Sequence, residues 1–400
     1  GTENGWDSSY GDGQAVFTSS GGMGGIFNII TSYVVFDGVV GSGSNPDSYG
    51  FKIATPTNCN QDNRMLGIPP VGYSTLNVSN ITVSHVAMTN CGSSYNYGQV
   101  GIYSNPATSS NITVSNSYLA GSVANILFKS WTNSEISGNY FAGNWSSSLY
   151  HGAQISPSGT ASIPCASSDI TVKNNIFLNS TGTAVMSVHR KDNYRFKIFN
   201  NIIIGGNPSR GFGSGDSAVA DVVRQFEVHH NTFINVNFPF SLGALFVGNL
   251  SDVNTDKSYA YNNLFYNTIN PRLDNYGYTN GAIVHTYNAH YNSTGVYDSS
   301  EGGMAVNTTG DPFVNSAEGN YHLKIRTKTG KVLASPYNID KDGNTRGASV
   351  PGIWDIRDRG AYRYSPGYSP GPSAPYSPGP YSPGAGAPSP AGDRKIINLQ

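Results

Sequence analysis

Lys129, His151, His189 and Arg190 are the side chains best placed for chemistry in this sequence. Lys129 follows an apolar stretch, His189 and Arg190 end another, and His151 sits in the insertion Ser148-Leu-Tyr-His-Gly152. Together they offer a Lys, Arg or His base, with cations or donors that could neutralise a negatively charged group. Lys191 and Asp192 follow directly, and Asp221 and His285 hold comparable places further along. The competing reading makes each of them a solvated surface charge. A glycosidase wants two carboxylates at a set separation, and the sequence offers no convincing pair. No Asp cluster resembles a calcium cage, and Cys59, Cys91 and Cys165 lack metal-ligand spacing. P-loop, dinucleotide, zinc and nucleophile-elbow spacings are absent, so neither metal nor cofactor is expected. Aromatic rings are plentiful, with 26 Tyr and 4 Trp, and suit neutral sugars or protein contacts equally well.

The elements that must hold these groups repeat along the chain. An alternating strand, an Asn step and a second apolar pair recur, as in Asn80-Ile-Thr-Val-Ser-His-Val-Ala-Met88 and Asn111-Ile-Thr-Val-Ser-Asn-Ser-Tyr-Leu119. Later copies include Asp169-Ile-Thr-Val-Lys-Asn-Asn-Ile-Phe177 and Gln225-Phe-Glu-Val-His-His-Asn-Thr-Phe233, with a worn one at Asn288-Ala-His-Tyr-Asn292. The apolar residues just before the Asn step are Val83, Val114, Ile136, Val172, Ile198, Val228, Ala260 and Ala289. Their spacing, near 30 residues with variable insertions, is that of a solenoid whose loops grow from one side of each coil. Two-residue alternation marks strands with one buried face. A second apolar stretch in each coil, such as Asn125-Ile-Leu-Phe128 or Ala184-Val-Met186, supplies a further strand.

The Asn of each copy tolerates the left-handed backbone of a tight corner. Stacked coil on coil, its amide can also bond its neighbour. Asn116, Asn139, Asn175, Asn201, Asn231 and Asn263 are therefore read as one structural ladder, and His229-His230 as part of the same corner. Cys59 and Cys91 lie about one coil apart and could form a disulfide, or remain two buried thiols. The N-x-[ST] triplets are about as frequent as chance predicts in a chain so rich in Asn, Ser and Thr, so glycosylation is not inferred.

The pattern resembles the bacterial right-handed parallel β-helix repeat proteins, which share the pectate-lyase-like fold. The resemblance spans roughly residues 30 to 364. Its most specific part is the closing segment: Asp311-Pro-Phe-Val-Asn315, Gly319-Asn-Tyr-His-Leu-Lys324, Asp342-Gly-Asn-Thr-Arg346, and Asp355-Ile356 leading to Gly360-Ala-Tyr362. Here Arg357-Asp-Arg359 is inserted before Gly360, and Arg363 replaces the Glu that commonly ends the family's phrase. The resemblance implies an all-β, right-handed parallel β-helix of about nine coils, outside the cell or on its surface. In polysaccharide-cleaving relatives it implies a site on an outer sheet face.

Four segments are expected: coils over 1–310, a terminal coil and cap over 311–364, a Tyr-Ser-Pro-Gly-rich linker over 365–392, and a short apolar end over 393–400. Pro density excludes helix and central strand from the linker. Ile396, Ile397 and Leu399 are suited to pairing with an exposed sheet edge. Residue 1 is Gly, which fits either a removed leader or a start within a longer chain. The formal net charge of −1, with both signs scattered, gives no reason to expect nucleic acid as a partner. No apolar run is long enough to span a membrane.

Three functions stay open. The first is a structural subunit of a filament or surface assembly, self-associating head-to-tail or through its tail. The others are a lyase or glycosidase acting on an extracellular polysaccharide, and a surface-anchored glycan-binding adhesin.

Overall fold

A computed structural model describes residues 13–18, 25–55, 64–70, 72–73, 75–90, 100–104, 108–144, 153–157, 167–180, 184–188, 193–205, 210–214, 223–241, 257–269, 283–294, 306–327, 329–346, 358–364 and 395–396. The chain winds into a right-handed parallel β-helix. Three sheets run its length, with 11, 8 and 11 strands, and every pairing within them is parallel. Sheet 1 holds the first strand of each repeat phrase, such as Ser109–Ser115, Trp131–Ser137 and Ser168–Lys173. Sheet 2 holds the strand after the Asn step, such as Tyr118–Ser122 and Ile176–Ser180. Sheet 3 holds the second apolar stretch, such as Ala124–Phe128 and Ala184–Val188.

Alternation decides which side chains enter the core. In sheet 1 the inward column runs Val83, Val114, Ile136, Val172, Ile198, Val228 and Ala260 in direct register. In sheet 2 it runs Met88, Leu119, Phe141, Phe177, Ile203, Phe233 and Phe265. Ile102, Ile126, Ile155 and Met186 enter from sheet 3. These columns meet in one continuous apolar core, and each side chain so buried contributes roughly 1.5–3 kcal/mol. Stacked rings such as Phe141–Phe177 and Phe196–Phe226 follow from like residues recurring one rung apart.

The register corrects two readings of the repeat. His285, not Ala289, lies opposite Ala260, while Ala289 lies opposite Leu264 in sheet 2. This copy therefore contributes a strand to sheet 1 and one to sheet 2, and its ladder residue is Asn288. The Asn step also divides into two positions with separate duties. The first is the corner itself, where backbone φ is positive at His85, Asn116, Asn174, Asn200, His230, Asn262 and Tyr287. The second follows at once and points inward, fully buried, at Asn139, Asn175, Asn201, Asn231, Asn263 and Asn288.

In the inward column each amide oxygen accepts the backbone N–H and the side-chain N–H of the preceding Asn. Each amide nitrogen also donates to a carbonyl one coil back, as in Asn175 Nδ2 to Ile136 O at 2.9 Å. Asn116 belongs to the corner, and Ser117 takes the inward place on its coil, donating its N–H to Asn139 Oδ1. Corner and ladder separate because a residue that reverses the chain cannot also aim its side chain into the core.

Replacing Asn116 (φ 48°) by Gly should leave stability nearly unchanged, whereas Ala should cost about 1 kcal/mol in the left-handed region. Urea denaturation of the two variants separates a corner role from a ladder role, which would make Gly as harmful as Ala.

Residues 311–364 were expected as a terminal coil and cap. Among the described residues they add no strand to the three sheets. Phe313–Asn315 and Asn320–Leu323 form a separate antiparallel pair. Phe313, Leu323, Ala361 and Tyr362 cover the outer face of sheet 2 over Ile176, Ile202, Ile234 and Leu264. The rest lies along the corner column as a clasp. Asn200 donates to Ile339 O at 2.7 Å, and Asn262 exchanges two bonds with the Lys331 backbone. Lys341 Nζ reaches Asn174 O at 2.9 Å. Gly360, at φ +102°, is where the clasp comes nearest the sheet, and a Cβ there would lie 2.9 Å from Thr232 Oγ1.

Candidate functional site

Three surfaces gather the polar, ionisable or unpartnered groups. The first is the outer face of sheet 3, where Lys129 follows Ala124–Phe128. Its Nζ lies 6.0 Å from the centroid of the Tyr103 ring, and the Arg64 guanidinium covers the same ring at 4.1 Å. Nearby, the buried Asn125 amide donates to Gln154 Oε1 and to Gly143 O. His151, His189 and Arg190 lie outside the described residues, as do Asp221 and the three cysteines. Ala153, two residues after His151, pairs with Ala124, at the opposite end of the strand row from Lys129. Sequence reasoning missed Arg64 because its strand, Arg64–Gly67, lies outside the repeat phrase. The usable signal was that it opens the apolar run Met-Leu-Gly-Ile. Among the described residues, no group of three His, Cys, Asp or Glu side chains could hold a metal ion.

The second surface is the corner under the clasp. His229 and His230 are buried in this place, as the corner reading has it. Burial is the main cause that pushes the His229 imidazole down to about 3 and the His230 imidazole well below its ordinary value. Both are therefore neutral at physiological pH. His229 Nδ1 accepts the Tyr261 N–H, and its ring stacks on Tyr261 and meets the edge of Tyr337. Tyr337 donates its hydroxyl to Glu227, whose carboxyl is raised by burial against the opposing pull of Lys197.

Arg346, fully buried, donates to the carbonyls of Asp358, Gly360 and Ala361 and to Asn200 Oδ1. Arg359 donates to Asn288 O at 2.7 Å. These groups have ordinary catalytic chemistry, but their bonds join the clasp to the coils. In this chain the inserted Arg357-Asp-Arg359 supplies the second buried arginine of the clasp.

The third surface is the amino-terminal end of the helix. Val34–Asp37 is the first coil strand of sheet 1, and one of its edges faces away from the rest of the solenoid. Val16, Ile30, Tyr33, Val35, Val39 and Val40, all on or beside this coil, are large exposed hydrophobics; Val39 is 77% and Val40 58% exposed. The C-terminal strand, Lys395–Ile396, pairs in parallel with this edge, Val34 opposite Lys395 and Val35 opposite Ile396. Ile397 and Leu399 lie outside the described residues.

The sequence matches no family model and no curated protein. Among solved structures, the PL6 family alginate lyase AlyGC, in a mutant form, is similar over 74% of this chain and 52% of that one. The identity is 11% and the TM-score 0.26, so the likeness carries no argument about this protein. The chain spans about half the length of that enzyme.

Proposed function

We propose that the protein is a structural β-solenoid of an extracellular assembly, and that copies associate through the first coil. The observation that carries this reading is the first-coil edge with its apolar surround. A parallel sheet edge is a row of backbone donors and acceptors, which soluble proteins blunt with charge, Pro or a cover. Here, beside the short Lys395–Ile396 pairing, its surround is Tyr33, Val35, Val39 and Val40, and a clustered apolar surface of this kind marks an association site. Among the described residues the sheets end at Ile283–Thr286, Val306–Thr308 and Phe238–Ser241, and head-to-tail stacking on these strands would continue the sheets at about 4.8 Å per rung.

Sedimentation velocity of the full chain over a concentration series is expected to show association, and the V35K/V39K variant to remain monomeric. Protein that stays monomeric throughout, both as the full chain and after removal of residues 393–400, would overturn the reading.

The outer face of sheet 3 favours a second reading. Two cations beside the buried Tyr103 ring, the Arg64 guanidinium and Lys129 Nζ, offer an acidic sugar the positive charge that a lyase or glycan-binding module requires. On that reading, replacing Arg64 and Lys129 with Ala abolishes binding of a polyuronate, which titration would show.

A further inference from the structure

We infer that the C-terminal segment is an intramolecular cap for the first-coil edge, which a second copy must displace in order to associate. This deepens the assembly reading above and rests on it. The observation is the parallel pairing of Lys395–Ile396 with Val34–Val35, which ends sheet 1 with a strand contributed from the far end of the chain.

The chain length fits that closure. Tyr364, whose backbone N–H bonds Asp358 Oδ2 at 2.8 Å, is the last described residue of the clasp. From there to Lys395 the sequence is the Tyr-Ser-Pro-Gly-rich stretch. As polyproline-type backbone at ~3.1 Å per residue it can span roughly 90 Å. As a flexible coil its r.m.s. reach is roughly 30 Å. Eleven strands at ~4.8 Å make a solenoid roughly 50 Å long, and the clasp is fixed part-way along it. A tether whose relaxed length is close to the span gives an effective concentration in the millimolar range. The tethered strand therefore outcompetes a second copy until the protein is concentrated or the tail is cut.

The cap is also partial. Among the described residues it pairs with two residues of the edge strand, and with it in place Tyr33, Val35, Val39 and Val40 keep 44–77% of their surface. A cap of this kind is weak enough to be displaced by a partner that covers the whole face. Its charge fits the place as well. Lys395 lies opposite Val34 on the outer strand, and positive charge on an edge strand opposes further strand addition.

The experiment compares the full chain with a deletion of residues 393–400, using hydrogen exchange and sedimentation velocity. Exchange over residues 33–37 should speed up at least tenfold in the deletion, while residues 170–203 stay unchanged. The association threshold should fall at least tenfold. Adding a synthetic peptide of residues 393–400 at millimolar concentration should restore both. Unchanged exchange at 33–37 overturns the cap, whatever the protein does in sedimentation. Faster exchange with no association by either chain upholds the cap and removes the assembly reading. Association abolished by the deletion overturns the cap in favour of a tail that bridges copies.

Discussion

Replacing Asn201 with Leu is expected to lower the stability of the solenoid by about 3–5 kcal/mol, on the basis of ~1–3 kcal/mol for each buried polar group left unsatisfied. Leucine fills a similar volume but returns none of the bonds. Asn175 loses the acceptor for both its backbone N–H, at 3.0 Å, and its side-chain N–H, at 3.0 Å. Val172 O loses the donor that reaches it at 2.9 Å. All of these atoms lie in the dry interior, where no water replaces the missing partner. A domain is typically stable by ~5–15 kcal/mol, so this one change removes a large share. Chemical denaturation would show it as a fall in midpoint, with Asn116→Gly as the control at a corner. A loss below about 1 kcal/mol would mean that the amide column is dispensable.

Acid should destabilise the protein from just below pH 6.5, above the range in which carboxylates ordinarily titrate. His229 and His230 are neutral in the folded state and free to protonate in the unfolded one. Their folded pKa values are depressed, so the unfolded chain binds more protons as pH falls through the ordinary histidine range. The stability these residues carry is complete above that range and drains away below it. Two such groups give a slope of up to about 2.7 kcal/mol per pH unit, at 1.36 kcal/mol per unit each.

Glu227 and Asp358 act in the opposite sense. Burial holds both carboxyls above their usual range. The stability they contribute is present below the ordinary carboxylate pKa and is lost as pH rises through the raised value. The fall should therefore steepen as pH drops through the ordinary histidine range and flatten in stronger acid, where these carboxyls offset it. The cleanest variant is His230→Asn, since Asn200 and Asn262 occupy the same corner one coil away on either side. It should roughly halve the slope between pH 7.5 and 5.5 in denaturant unfolding. An unchanged slope would place the titrating groups elsewhere.

The sequence by itself determined the coil and its core. Strand alternation and a period near 30 residues are local properties, and they assigned the inward column from Val83 to Ala260 with no knowledge of pairing. They also located five of the ladder asparagines, because an inward amide recurs only where each coil can bond the next. The same local reading could not tell a corner Asn from a ladder Asn. Neighbouring residues such as Asn174 and Asn175 are chemically alike, and only backbone φ and the direction of the side chain separate them. For that reason Asn116 was grouped with the ladder and Asn288 was missed.

Only the tertiary structure decided where distant segments meet. That the described residues of 329–346 and 358–364 lie along the corner, with Arg346 on Asn200 and Arg359 on Asn288, depends on contacts spanning more than a hundred positions in the first case and 71 in the second. The pairing of Lys395–Ile396 with the first coil is longer still. A period in the sequence reports what each coil does to its neighbour. It holds no record of a segment that leaves the repeat and returns, because that choice is made by which face and which edge the finished coils leave uncovered.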